Sequence, residues 1–213
     1  MPRTHTTYPE QQHMVMNHVS WAYYEQTLHE IGDQRLRVTF LDGAIEIMSP
    51  LPEHEAAKVA VCGLIDCLTE QVGQPRKSFG SSTFRREEKG AGTEPDACYY
   101  FSNIDLVKGM KRYDSSIHPA PDLVIEIDLF SSSIPRELIY ARLGVPEIWR
   151  YTTSGILVRS LGENLSYIDS PTSRYFSFLP IDGFFGFVGR MIDEEELSVL
   201  SNFREWVKTV NKR

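Results

Sequence analysis

Two short segments hold the residues whose types and spacing can do chemistry. Glu94-Pro95-Asp96 opens the apolar run ACYYF, and PDLVIEID at 121–128 places Val124, Glu126 and Asp128 on one strand face by the period of two. Burying a carboxylate without a partner is costly, so Asp96 and Glu126 each ask for a cation: arginine, lysine or a metal. Two acids on neighbouring strands facing one hard cation is an arrangement that binds Mg²⁺, which takes oxygen ligands, keeps several waters and bridges to substrate phosphates. The spacing of 30 between positions 96 and 126 leaves room for a loop joining such strands. Spacing alone leans toward a plainer assignment, in which Asp96 caps a turn after Pro95 and Glu126 pairs with an arginine at the sheet edge.

Basic residues near these acids in sequence are Arg85 and Arg86 in STFRRE, with Arg76 and Lys77 upstream. Adjacent arginines on a strand point to opposite faces, so at most one serves a cleft. Lys108, Lys111 and Arg112 form a second cluster. Each cluster is either ordinary solvated surface or a contact to phosphate. The aromatics Tyr99, Tyr100, Phe101, Trp149, Tyr151, Phe184, Phe185 and Phe187 are assigned to packing.

A framework must position these groups, and the composition allows one. The 213 residues carry 22 Lys plus Arg against 29 Asp plus Glu, a net charge of −7, with 41% hydrophobic residues. That excludes collagen-like, low-complexity and disordered classes, and argues against a protein that coats nucleic acid nonspecifically. A local basic cleft stays open. Cys62, Cys67 and Cys98 form neither a CxxC pair nor a zinc spacing with histidine. The N-terminus lacks an apolar signal core and no stretch is long enough for a membrane span, so the expected compartment is the cytoplasm. Residues 1–13 are read as a flexible arm and 14–213 as a single domain.

Local signals predict the elements. A first helix is capped by Ser20, stapled by Val19 and Tyr24, and stopped by Gly32. RLRVTFLDGAIEIM at 35–48 alternates on both sides of Asp42-Gly43, a hairpin signature. Apolar residues at Ala57, Val61, Leu64, Ile65, Leu68 and Val72 mark a long helix over 53–72. Strands are expected at 78–86, 96–102 and 122–129, then a helix from Ser133 to Gly144 with serines 131–133 as caps. A second hairpin follows at 147–151 and 156–161, with more β structure at 166–168 and 175–178. The last helix is expected to start at an Asp193 cap with Glu196 in a capping box. The segment FFGF at 184–187 and the stripe Leu200, Phe203, Val207 and Val210 are also candidates for a homodimer face.

The pieces LDGAIEIMSP, EHE at 53–55, GSSTFRRE, GTEPDACYYF, PDLVIEIDLFSSS and YARLGVPEIWRY, taken in this order, resemble the Uma-type putative restriction endonuclease family. This is a bacterial branch of the PD-(D/E)XK nucleases, and the match spans about Met14 to Val207. The resemblance implies an α/β, restriction-endonuclease-like mixed β-sheet flanked by helices, with an N-terminal helix and β-hairpin and a C-terminal helix. It implies a Mg²⁺-dependent endonuclease acting on DNA, with Mn²⁺ as a substitute and a homodimer as the working form. By position, Asp96 and Glu126 are the two motif acids and the Ile127 carbonyl a further metal ligand. His54 or Glu55 on the long helix stands beside the site. The motif lysine has no counterpart two residues after Glu126, where Asp128 stands; its shifted position, four residues before Tyr140, is Arg136. Arg85 and Arg86 are candidate phosphate contacts. Arginine binds phosphate bidentately but does not release a proton to activate water. A catalytically weak or inactive nuclease-fold module that binds nucleic acid or protein is therefore the alternative.

Overall fold

The computed structural model of the chain describes residues 13–32, 34–129 and 132–212. The remainder of the expected N-terminal arm, and Ser131 among the expected caps, lie outside these residues.

Local chemistry sets the first elements. Helix α1 (Trp21–Ile31) starts where Ser20 Oγ accepts the Tyr23 N–H and ends at Gly32, φ 52°. Strands β2 (Arg37–Leu41) and β3 (Ala44–Met48) form the expected hairpin, and both turn residues take positive φ: Asp42 47° and Gly43 85°. A strand not anticipated from sequence, β1 (His13–Met16), pairs with β3 ahead of α1. The long helix α2 (Pro52–Val72) buries the predicted apolar stripe and ends at Gly73 in the left-handed region.

The segment expected as one strand over 78–86 is two. Strand β4 (Lys77–Ser78) and strand β5 (Phe84–Arg86) join different sheets, because the chain turns between them at Gly80, φ 54°. Short β6 (Ala91–Thr93) pairs with both β5 and β2. Its Gly92 is required: a Cβ there would lie 2.4 Å from the hydroxyl of fully buried Tyr24.

Strands β7 (Ala97–Tyr100) and β8 (Leu123–Ile127) pair antiparallel, while β8 and β9 (Glu147–Thr152) pair in parallel across helix α3 (Arg136–Leu143). Strands β10 (Gly155–Leu161) and β11 (Tyr167–Ser170) complete a six-stranded mixed sheet of order β11-β10-β9-β8-β7-β4. The other sheet is antiparallel, of order β1-β3-β2-β6-β5.

Two expectations for the C-terminal third are corrected. Residues 175–178 form turns instead of a strand, because Ser173 Oγ and the Arg174 N–H are both held by buried Glu147 at 2.6 Å, which drives Phe176 into the core. FFGF lies inside a helix, α4 (Ile181–Asp193), so Asp193 ends that helix. The cap of α5 (Glu196–Val210) is Glu195, which accepts from the Leu197 and Ser198 N–H groups.

Helices α2, α4 and α5 cover one face of the mixed sheet. Phe184 and Phe187 pack on Phe203 at centroid distances of 5.8 and 5.1 Å, so FFGF and the C-terminal stripe meet within the chain, with Phe185, Phe187 and Leu200 partly buried there. Helix α3 packs between the other face and the antiparallel sheet, whose second face is covered by α1. The result is the mixed α/β architecture that the sequence led us to expect, with the mixed sheet joined by a second, antiparallel one. No helix among the described residues is long and apolar enough to cross a membrane.

Candidate active site

The two sheets meet around the motif acids. Asp96 immediately precedes β7, and continuing the register of Ala97 opposite Ile125 puts Asp96 across from Glu126 on the same face. Asp96 is 0% exposed and Glu126 2%. Charges so deeply buried persist only when each oxygen has a partner.

Glu126 is held from α3. Arg136, the first residue of that helix, donates through Nη1 to Oε2, and the Tyr140 hydroxyl, one turn on, donates to Oε1. Burial alone would lower the Arg136 pKa, but the Glu126 carboxylate outweighs it and pushes the pKa up, so the guanidinium is permanently charged. Burial, then Glu126, raise the Tyr140 pKa and keep its hydroxyl a donor.

Asp96 is held from three sides. The Ile127 N–H donates to Oδ2 at 2.6 Å, and His54 Nε2 of α2 lies 3.0 Å from Oδ1. Arg37 of β2, 6% exposed, makes a close ion pair with the same Oδ1. Neither the Arg37 Nη1 nor the Asp96 Oδ1 has an aligned hydrogen bond among the described residues, so this contact is held by charge and not by direction. Burial, and then the Arg37 charge, push the His54 pKa down to about 4. His54 is therefore neutral at pH 7, with Nε2 turned to Asp96 and Nδ1 to Glu55. Glu55 lies farther out, with its Oε1 3.4 Å from His54 Nδ1 and 3.8 Å from Arg37 Nη2.

The loop from β8 into α3 is anchored by a residue absent from the sequence reading. Glu46 of β3, 0% exposed, accepts from Ser132 Oγ and the Ser133 N–H at 2.8 Å and pairs with His13 Nε2 at 2.9 Å. Ser132 and Ser133 thus bind Glu46 and do not cap α3, whose N-cap is Pro135. Burial would raise the Glu46 pKa, yet the His13, Ser133 and Ser132 hydrogen bonds prevail and lower it from 4.5. Its stabilising contribution is present above the ordinary glutamate range and disappears as pH falls through the lowered folded value. The expected result is that stability falls on acidification below about pH 4.5 and that Glu46→Gln shows a flatter fall, measured as urea midpoints between pH 3 and 7. Glu46→Gln at neutral pH costs about 1–3 kcal/mol.

Asp128 does not stand as an open negative charge. It pairs with Arg150 Nε of β9 at 2.5 Å, and Arg150 also reaches Glu137 at 3.0 Å. Arg85 and Arg86 sit on β5 in the antiparallel sheet, where Arg85 pairs with Glu25 of α1 at 2.8 Å; the structure does not bring Arg85 to the acids. Beside Glu126 opens a cleft of about 770 Å³ lined by Asp128, Arg136, Tyr140 and Arg150. A second, of about 680 Å³, opens beside Arg37 and is lined by Arg35, Glu55, Lys58 and Glu94. A narrow gap lined by Arg37, His54, Ile127, Asp128 and Arg136 lies between them.

Asp96, Glu126, Ile127, His54, Glu55 and Arg136 are therefore brought together as their sequence positions suggested. Arg37, Tyr140 and Glu46 were missed. The signal for Arg37 and Tyr140 was the unmet charge of the two buried acids, which names no partner. The donor set suits a hard divalent cation, since Mg²⁺ commonly takes one or two carboxylates from a protein and completes its shell with water and phosphate. Among the described residues no group of three or more His, Cys, Asp and Glu surrounds one point.

Comparison with known proteins places this geometry in context. A solved structure of a putative nuclease belonging to DUF820 from Anabaena variabilis is similar at a TM-score of 0.49 and 17% identity, covering 71% of this chain and 90% of that one. No curated protein shows significant sequence similarity to the chain. Residues 21–182, which include every element from α1 to β11 and all the site residues above except His13, match the Uma2 family, described as a putative restriction endonuclease, and the chain belongs to that family.

Proposed function

We propose that the chain is a divalent-metal-dependent endonuclease that hydrolyses phosphodiester bonds of DNA where Asp96 and Glu126 face each other. The observation that carries this reading is the convergence, at one end of the β7–β8 pair, of two opposed buried carboxylates with Arg136 and His54 from separate helices. Asp96, Glu126 and the Ile127 carbonyl would hold Mg²⁺ or Mn²⁺. When bound, that ion supplies Lewis acidity, which lowers the pKa of water and offsets charge developing on the phosphoryl group.

The chain's own residues do the rest. Arg136, permanently charged at the floor of the larger cleft, binds the scissile phosphate and opposes the charge that grows on it. The Ile127 N–H holds Asp96 through Oδ2, and His54 Nε2 stands 3.0 Å from Oδ1. Arg136 does not accept a proton, so its part is to bind and orient the phosphate.

The test is cleavage of supercoiled, linear and single-stranded DNA with Mg²⁺ or Mn²⁺, beside an Asp96→Ala, Glu126→Ala double variant. Metal-dependent nicking lost in the double variant is the expected result; equal cleavage by both proteins rejects the assignment.

A second reading has its own observation. Each acid is already matched by an arginine, Asp96 by Arg37 and Glu126 by Arg136, as in a nuclease fold that binds nucleic acid without cutting it. Calorimetric titration in the presence of a non-cleavable duplex separates the two, because such a module takes up no Mn²⁺ in a manner sensitive to Asp96→Ala.

A further inference from the structure

Arg37 is a full positive charge at the position where the proposed metal would meet Asp96. It sits on β2 in the antiparallel sheet while Asp96 belongs to the mixed sheet, so the pair spans the junction of the two. Its contact to Oδ1 lacks the aligned, bidentate form that makes arginine–carboxylate pairs rigid. Its other terminal nitrogen, Nη2, is 3.8 Å from Glu55 Oε1, toward the second cleft, which Glu94 also lines. Arg37 therefore already reaches a second acidic partner, on the side of this cleft.

We propose that Arg37 is a built-in counter-ion that occupies the metal's place at Asp96 until substrate arrives, so that divalent metal and DNA phosphate bind together and neither binds well alone. The inference rests on the metal-dependent reading above. Two arginines, Arg37 and Arg136, face two acids, Asp96 and Glu126, and these four charges cancel, while Glu55 is shared between Arg37 and Lys58 at 3.8 Å each. Asp128 is matched by Arg150, and Glu46 is hydrogen-bonded by His13 and two donors of the β8–α3 loop. A dication entering this balanced, buried site is repelled by both guanidinium groups. Negative phosphate reverses that balance: it engages Arg136, draws Arg37 toward the cleft and leaves Asp96 Oδ1 to the metal. Coupling between two ligands is reciprocal, so metal strengthens DNA binding by the same factor.

Mn²⁺ binding to the full chain, measured by calorimetry with and without a short duplex carrying non-cleavable phosphorothioate linkages, tests this directly. Apparent Mn²⁺ affinity is expected to be on the order of tenfold higher with the duplex. Arg37→Gln is expected to bind Mn²⁺ without duplex on the order of tenfold more tightly than the parent, and to gain Tm on Mn²⁺ addition where the parent gains none. Equal parental affinity with and without duplex overturns the inference while leaving the metal site standing, provided that Asp96→Ala abolishes the binding. An unchanged affinity in folded Arg37→Gln overturns it as well. Absence of Mn²⁺ binding in every arm overturns the metal-dependent reading and this inference with it. The duplex arm uses only the parent protein, so a poorly folding Arg37→Gln does not remove the test.

Discussion

Arg136→Ala is expected to lower folding stability by about 3–5 kcal/mol and DNA cleavage on the order of 10²-fold or more. The stability loss follows from what the substitution leaves behind. Glu126 is 2% exposed, and Arg136 is the only cation among the described residues in ion-pair contact with it. Truncation strands a buried carboxylate with Tyr140 as its remaining side-chain donor. The activity loss has a different origin, since Arg136 lines the cleft where phosphate is expected and Glu126 is a proposed metal ligand. Arg136→Lys separates the two. Lysine retains the charge and most of the stability, but it is a point charge without the planar fork, and it is able to release a proton. Its cleavage–pH profile is expected to gain a titration that the parent lacks, measured by rates of supercoiled DNA nicking across pH. A lysine variant with the parent's profile would show that this position does not take part in proton transfer.

Asp96→Ala is expected to cost about 3–5 kcal/mol as well and to reduce cleavage on the order of 10²–10³-fold. Here the stranded charge is Arg37, 6% exposed on β2, with Glu55, 3.8 Å away, as its remaining ion-pair partner among the described residues. A paired replacement tests that cause. In Arg37→Met, Asp96→Leu both charges go, and apolar groups of similar bulk fill the junction between the sheets, so most of the stability is expected to return. Cleavage is not expected to return, because the metal oxygen is gone. Urea unfolding of the two single variants and the double variant gives the coupling energy. A strictly additive cycle would mean that Arg37 and Asp96 stabilise the fold independently.

Those predictions rest on groups of unequal visibility in the sequence. Asp96 and Glu126 stand out because carboxylates interrupt strands that otherwise read as core. Arg136 stands out only through the family resemblance, as the shifted motif position four residues before Tyr140. Arg37 gives no such sign. In RLRVTF it occupies the polar phase of an alternating strand, where solvent is the ordinary destination. Glu46, in AIEIM, reads the same way, yet it is fully buried beneath a loop 86 residues further along the chain.

Local interactions account for what the sequence by itself determined. The cap and stop of α1, the Asp42-Gly43 turn, the apolar stripe of α2, and the β9–β10 hairpin depend on residues a few positions apart, whose conformational preferences hold in any surrounding. The mixed α/β class and the convergence of the motif acids follow from the same local pattern together with the family's motif order. Tertiary structure alone decided the division into two sheets, the docking of β1 on β3, the split of 77–86 between sheets, and the helical state of FFGF. It also decided which cation meets which acid. Those outcomes depend on contacts between segments far apart in the chain, where burial removes water and the nearest opposite charge becomes the partner; no property of Arg37 or Glu46 along the chain encodes that distance.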